Sequence, residues 1–196
     1  MEELLPSIRH NLARLFQFRG RASNRQFWPW AILVCLAHMA GGILITVPMM
    51  ADMMTRAIEI GQSAPSDGGK DPEIVAAQIE GMMKDSLANL EGLWLSSLIM
   101  QAVAIFLVAA AVARRLHDRD RSALWGLMPI PFAAIGIVNI PLAGDVVLGR
   151  PLSALEAASV SLGYGYWIAL LVLIVILAGK GDEAANRFGP APTAEL

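Results

Sequence analysis

Arg114, Arg115, His117 and Asp118 lie within a single five-residue run, and Arg21 with Arg25 and Asn186 with Arg187 repeat its chemistry at two other places. Guanidinium groups suit two-pronged contacts with phosphate or carboxylate, so these residues gathered on one surface would bind an anion. The same residue types also allow a structural use, in which Asp118 pairs with an arginine from another block and clamps helix ends together. Catalysis is poorly served. His117 and Asp118 lack the further histidines and carboxylates of a metal-dependent hydrolase, and the surrounding arginines would repel a cation. The chain has three histidines, and His10 and His38 stand in other contexts. It has no glycine-rich phosphate loop, activated serine or pair of intramembrane carboxylates. No catalytic residue, metal site or cofactor is therefore expected, and the protein is not expected to be an enzyme.

The elements that must position these residues are set by apolarity and charge. Of 196 residues 56% are hydrophobic and 16% charged, too apolar a mixture for an ordinary soluble domain. The single cysteine, Cys35, stands in an apolar run, which leaves no disulfide framework and reads as a small buried hydrophobe. The net charge of -2 averages two faces of opposite sign, so segregation is what matters. Met1–Gln26 carries five arginines, Arg114–Ser122 four, and Gly179–Leu196 carries Lys180 and Arg187, leaving only four of the 15 basic residues elsewhere. Short basic segments stay on the cytoplasmic side, which assigns these three to the inside and the acidic Asp52–Glu91 stretch to the outside.

The expected fold is all-α: a polytopic membrane helical bundle of about four transmembrane helices, with both termini cytoplasmic. The spans are read at Phe27–Met50, Leu93–Ala113, Leu124–Leu142 and a last one ending near Ala178. The third apolar region, Ala123–Leu148, is interrupted by Pro129, Pro131, Pro141 and Gly144, and holds either one kinked span or a re-entrant feature. His38 in the first span serves either function or packing. Residues 1–26 form a cytoplasmic leader, 27–178 the membrane domain with outer loop 51–92 and inner loop 114–122, and 179–196 a cytoplasmic tail. In the leader, Leu4, Leu5, Ile8, Leu12, Leu15 and Phe16 recur at helical spacing opposite Arg9, His10 and Arg14, the pattern of an amphipathic helix lying in the interface. The alternative is a loose basic leader that only sets topology. Residues 62–69 read as a turn or linker, with Pro72 starting a helix that leads into the second span. If that span's helix continues two turns past Ala113, Arg114, His117, Asp118 and Arg121 share one face.

Three blocks carry a resemblance: Gly20 through Trp28; Arg114 through Asp118 with Ser122 and Trp125; and Gly179 through Pro190 with Pro192. In this order between apolar spans, they resemble the bacterial inner-membrane family called domain of unknown function 805, from Gly20 to Pro192. Two positions depart from its usual pattern: Ser122-Ala123-Leu124-Trp125 stands for Ser-Gly-Trp-Trp, and Gln26 for an acidic residue. The resemblance implies a multi-span inner-membrane protein and supplies no reaction. The functional expectation is a non-catalytic protein whose Arg-rich cytoplasmic face binds anionic lipid headgroups or a partner, a second copy or another membrane protein included, with no role in nucleic-acid binding. The alternative is a small-solute transporter or channel component acting as an oligomer, with His38, Gln101 and Asn139 lining a path.

Overall fold

The computed structural model describes residues 4–62, 72–139, 142 and 149–192. Among them all regular structure is helical, with one isolated bridge between Asn186 and Gly189. The helices are α1 (Leu4–Ala13), α2 (Asn24–Gln62), α3 (Pro72–His117), a 3-10 helix (Ala123–Leu127), α4 (Ile130–Val138), α5 (Ala154–Gly163) and α6 (Gly165–Ala178). Three stretches are long and apolar enough to cross a membrane: Asn24–Glu59, Leu95–His117 and Ala154–Ala178. Their side chains are widely exposed, with Ile32, Leu36, Leu44, Val103, Leu171 and Val175 all open. Surfaces this apolar mark a membrane-embedded protein. The stretch Ala123–Val138 is also apolar but shorter. Pro129 and Pro131 account for its division, because neither can donate to a helical ladder and both favour the first turn of a new helix. Most of the linker 62–69, and Pro141, Gly144 and Asp145, lie outside the described residues.

Local sequence explains the helix starts. Before α2, the Ser23 amide donates to Gln26 Oε1 at 3.1 Å and the Gln26 amide to Ser23 Oγ at 3.4 Å, a reciprocal cap. Gln26 therefore performs here what an acidic residue would at the same position. Pro72 and Glu73 open α3, suiting the positive end of the helix dipole. Ser153 and Glu156 cap α5 in the same reciprocal way.

The chain divides into two compact units, Met1–Val34 with Ile105–Leu196, and Cys35–Ala104. In the second, α2 and α3 run antiparallel, with Met100 filling the space beside Gly41 and Arg56 reaching Asp85 at 3.7 Å. Cys35 is exposed rather than buried, which corrects the reading of it as a core residue. It lies on an apolar helix flank beside the equally open Leu36 and Met39, where lipid rather than protein is the natural cover.

In the first unit α4 packs against α5 and α6. Asn139 accepts from Ser159 at 2.6 Å, Gly136 and Gly163 approach closely, and Phe132 lies over Gly165, so the pairing is antiparallel. The buried apolar residues here include Phe27, Trp30, Ala110, Ala111, Leu116, Leu173 and Leu177. Helix α3 does not continue two turns past Ala113. It ends at His117, and Asp120 takes a left-handed φ of 50°. The Arg121 amide then bonds Leu116 O at 2.9 Å and the Asp120 amide His117 O at 3.1 Å, the paired closure of a Schellman turn. Arg121 consequently leaves the face of Arg114 and Asp118 and lies over the Trp125 ring at 5.1 Å.

Candidate functional site

Asp118 sits just past the end of α3 with its side chain 4% exposed. Arg21, 1% exposed at the side chain, places Nε and Nη2 each 3.0 Å from Asp118 Oδ1. Arg115, on the last turn of α3, donates from Nη1 to Asp118 Oδ2. One carboxylate thus faces two buried guanidinium groups, each supplying charge-assisted bonds.

The remaining donors of these arginines go to backbone carbonyls that have no helical partner. Arg115 donates from Nε to Leu177 O at 3.0 Å and from Nη2 to Gly179 O, at the C-terminus of α6. Arg119 reaches Ile176 O at the same helix end. The last carbonyls of a helix need such donors, and a cation there also suits the dipole. Arg21 reaches Ala184 O at 2.7 Å, Gly189 O at 3.3 Å and Asp182 O, while the Asp182 amide donates to Asp118 O at 2.8 Å. The tail after α6 is therefore laced to the end of α3. Gly181 lies so close that a Cβ there would collide with the Asp118 carboxylate.

Arg114, 1% exposed, is matched differently. It donates to Arg14 O at 2.8 Å, Gln17 O at 2.6 Å and Asn11 Oδ1 at 2.8 Å, closing the carbonyls that follow α1. Its Nε is buried with no hydrogen-bond partner. Asn11 and Ser7 in turn donate to Gln26 O, each at 2.8 Å. Gln26 O, in the first turn of α2, thus accepts from two side chains of α1. His10, on α1, is held below the usual histidine pKa by burial first, then by the charges of Arg14 and Arg114.

His117 stacks flat on Phe188, with centroids 3.9 Å apart, and its Nδ1 lies 3.2 Å from Gly20 O. Gly20 has a φ of 91°, a conformation that needs glycine. Asn186 donates to His117 O at 2.9 Å and Asp182 Oδ2 at 3.1 Å, and its backbone closes a tight turn with Gly189. Arg187 in that turn pairs with Asp120 at 2.9 Å in a half-exposed bridge and lies over Phe188.

Of the residues singled out from sequence, Arg21, Arg115 and Asp118 meet directly. His117 and Asn186 join them through the backbone, and Arg187 engages the rim. Arg114 serves α1 instead, and Arg25 is exposed on the first turn of α2. Ser7, Asn11, Ala22, Arg119 and Gly181 belong to the same assembly and are not marked by charge pairing. A usable signal for two of them is the Ser7 and Asn11 spacing of four, which puts both on one side of α1. Among the described residues no three His, Cys, Asp or Glu side chains converge to hold a metal ion. An open hollow of about 630 Å³ is lined by tail residues 180–186.

Chemically, this arrangement fixes helix ends. Its buried guanidinium groups are directed at internal acceptors, while Arg9, Arg14 and Arg19 of the N-terminal segment stand exposed. No curated protein and no solved structure matches the chain. The family model described as protein of unknown function, DUF805, matches residues 15–190, a range that holds the Arg21, Arg115 and Asp118 clamp and the tail laced to it. The chain belongs to that DUF805 family of proteins of unknown function.

Proposed function

We propose that this is a non-catalytic, multi-pass protein of a bacterial inner membrane that holds anionic lipid headgroups on its cytoplasmic face. Four spans place both termini inside, and α1 lies at the inner interface. The fourth crossing is supported by the register of α4. Asn139 pairs with Ser159, 19 residues before the end of α6 at Ala178. At about 1.5 Å per helical residue this is about 28 Å, close to the thickness of a hydrocarbon core. The short α4 and its preceding 3-10 helix thus reach as far as a complete span.

The observation that carries the headgroup reading is a division of labour among arginines. Arg21, Arg114 and Arg115 are buried against internal acceptors, while Arg9, Arg14 and Arg19 are exposed beside them on the N-terminal segment. Each basic residue near an anionic surface contributes about 1 kcal/mol. Replacing Arg9 and Arg19 together by Gln should therefore weaken retention of phosphatidylglycerol by on the order of 30-fold at low salt, and by less at high salt. Native mass spectrometry of the purified protein reads this directly. Unchanged retention would remove the headgroup reading and leave a protein partner as the occupant of that face.

Transport is the second reading, favoured by two buried groups without hydrogen-bond partners, His38 Nδ1 and Asn139 Nδ2, each in its own unit. A solute flux in liposomes that vanishes in His38→Ala and Asn139→Ala, with lipid retention intact, would establish it instead.

A further inference from the structure

Helix α1 is mounted with polar side chains inward. Ser7 and Asn11 are fully buried against Gln26 O and Arg114, although α1 is otherwise an amphipathic helix whose apolar residues would normally face the protein. Its apolar residues turn outward: Leu5 is 70% exposed, Leu12 52% and, just past the helix, Phe16 76%. This face therefore needs a cover that the described chain does not provide.

Continuity shows what the cover is. Phe16 meets Phe106 of α3 edge-on, with ring centroids 5.6 Å apart. Phe106 belongs to the apolar stretch Leu95–His117 and is itself 48% exposed, so the outer face of α1 runs without a break into a flank of a membrane-crossing helix. Phe106 precedes Arg114 by eight residues, which sets it about 12 Å along the α3 axis from Arg114. Phe16 reaches away from the polar end, toward the middle of the span. Arg9, Arg14 and Arg19 are exposed on the same short segment. Apolar groups facing out with arginines beside them are what a segment has when it lies between acyl chains and phosphates.

We infer that Leu4–Arg19 is a wedge inserted in one leaflet of the bilayer, with Leu5, Leu12 and Phe16 among the acyl chains and Arg9, Arg14 and Arg19 at phosphate level. The inference rests on the functional reading above for the side of the membrane, but insertion is driven by apolar surface and does not require anionic lipid.

The test uses the full chain in lipid nanodiscs, where both faces are open to solvent. In a Cys35→Ser background, Leu12→Cys or Phe16→Cys is labelled with an environment-sensitive fluorophore, and Leu5→Cys serves as a third site if either folds poorly. Discs of phosphatidylcholine alone are compared with discs containing phosphatidylglycerol. Quenching by nitroxide carried on the acyl chain, with little quenching by iodide, is expected in both. Iodide quenching without nitroxide quenching overturns the wedge. Protection from both quenchers also overturns it, because a second copy or another protein then covers the face. Nitroxide quenching only in the anionic discs reduces the segment to an electrostatic contact and likewise overturns it. Insertion in both discs without selective retention of phosphatidylglycerol leaves the wedge standing and removes the headgroup reading, so the two fail separately.

Discussion

The polar end of the first unit and the helical pair at Cys35–Ala104 are held in opposite ways. At the polar end three guanidinium groups and one carboxylate are withdrawn from solvent, and almost every donor is aimed at an acceptor from another segment. In the pair, Arg56 bridges Asp52 at 2.9 Å and Asp85 at 3.7 Å with its side chain 44% exposed, and the apolar flanks are open. Buried charge is costly to remove piecemeal, because the partner left behind has no water to turn to. Exposed ion pairs are easily replaced by solvent. The specific residues of this protein are therefore concentrated where charge is hidden, and the helical pair can be held by generic packing.

The sharpest way to break this comparison is to remove the shared charged partner of two ion pairs in each region: Asp118 at the polar end and Arg56 in the helical pair. Asp118→Asn leaves Arg21 and Arg115 buried without a counter-charge and should cost about 3–5 kcal/mol. Arg56→Gln, which removes both bridges of the pair, should cost no more than about 1 kcal/mol. Apparent unfolding temperatures in one detergent, read by circular dichroism, check both. Equal shifts would mean that the clamp contributes no more than a surface pair. A smaller effect is expected from Gly181→Ala. The added Cβ enters the space of the Asp118 carboxylate, and overpacking of this kind costs about 1–3 kcal/mol. Ala184→Ser, an exposed change in the same tail, should leave the unfolding temperature in place.

Much of the helical architecture is legible in the residues themselves. Apolar runs between basic blocks mark the membrane stretches at Asn24–Glu59, Leu95–His117 and Ala154–Ala178, because length and composition alone decide whether a helix can cross. The break before α4 is legible from Pro129 and Pro131. The end of α3 is less so. The usual sign of a left-handed closing residue is glycine, and here Asp120 fills that place, as a short polar side chain can. In the clamp, the need of Asp118 for a cation follows from residue type. Nothing in the residue types indicates that Arg114 and Arg115 close the ends of α1 and α6, because their acceptors are backbone carbonyls that every residue carries. The spacing of four puts Ser7 and Asn11 on one side of α1, but nothing in their types shows that this side turns inward onto the Gln26 carbonyl.

The finest contrast between the two regions lies in pH. His10 is the neutral acceptor for Arg14, with Nη1 3.4 Å from its Nε2, and Arg114 adds a second positive charge nearby. Burial opposes protonating His10, and protonation would also place a third cation beside Arg14 and Arg114 and remove that acceptor, so its folded pKa lies below the ordinary value. The sign follows from proton counting. As pH falls through about 6.5, the unfolded chain takes up the proton before the folded one does. The stability that His10 contributes is therefore complete above that pH and is lost as pH falls through the lowered folded value. Unfolding temperatures measured from pH 8 to pH 5 should decline, and His10→Gln, which cannot be charged, should flatten the part of the decline that begins near pH 6.5. The effect should be smaller than those of Asp118→Asn and Gly181→Ala, because His10 is only half-buried and salt will screen its neighbours. A decline identical in His10→Gln would show that the docking of α1 does not sense this charge and that its polar contacts through Ser7 and Asn11 suffice.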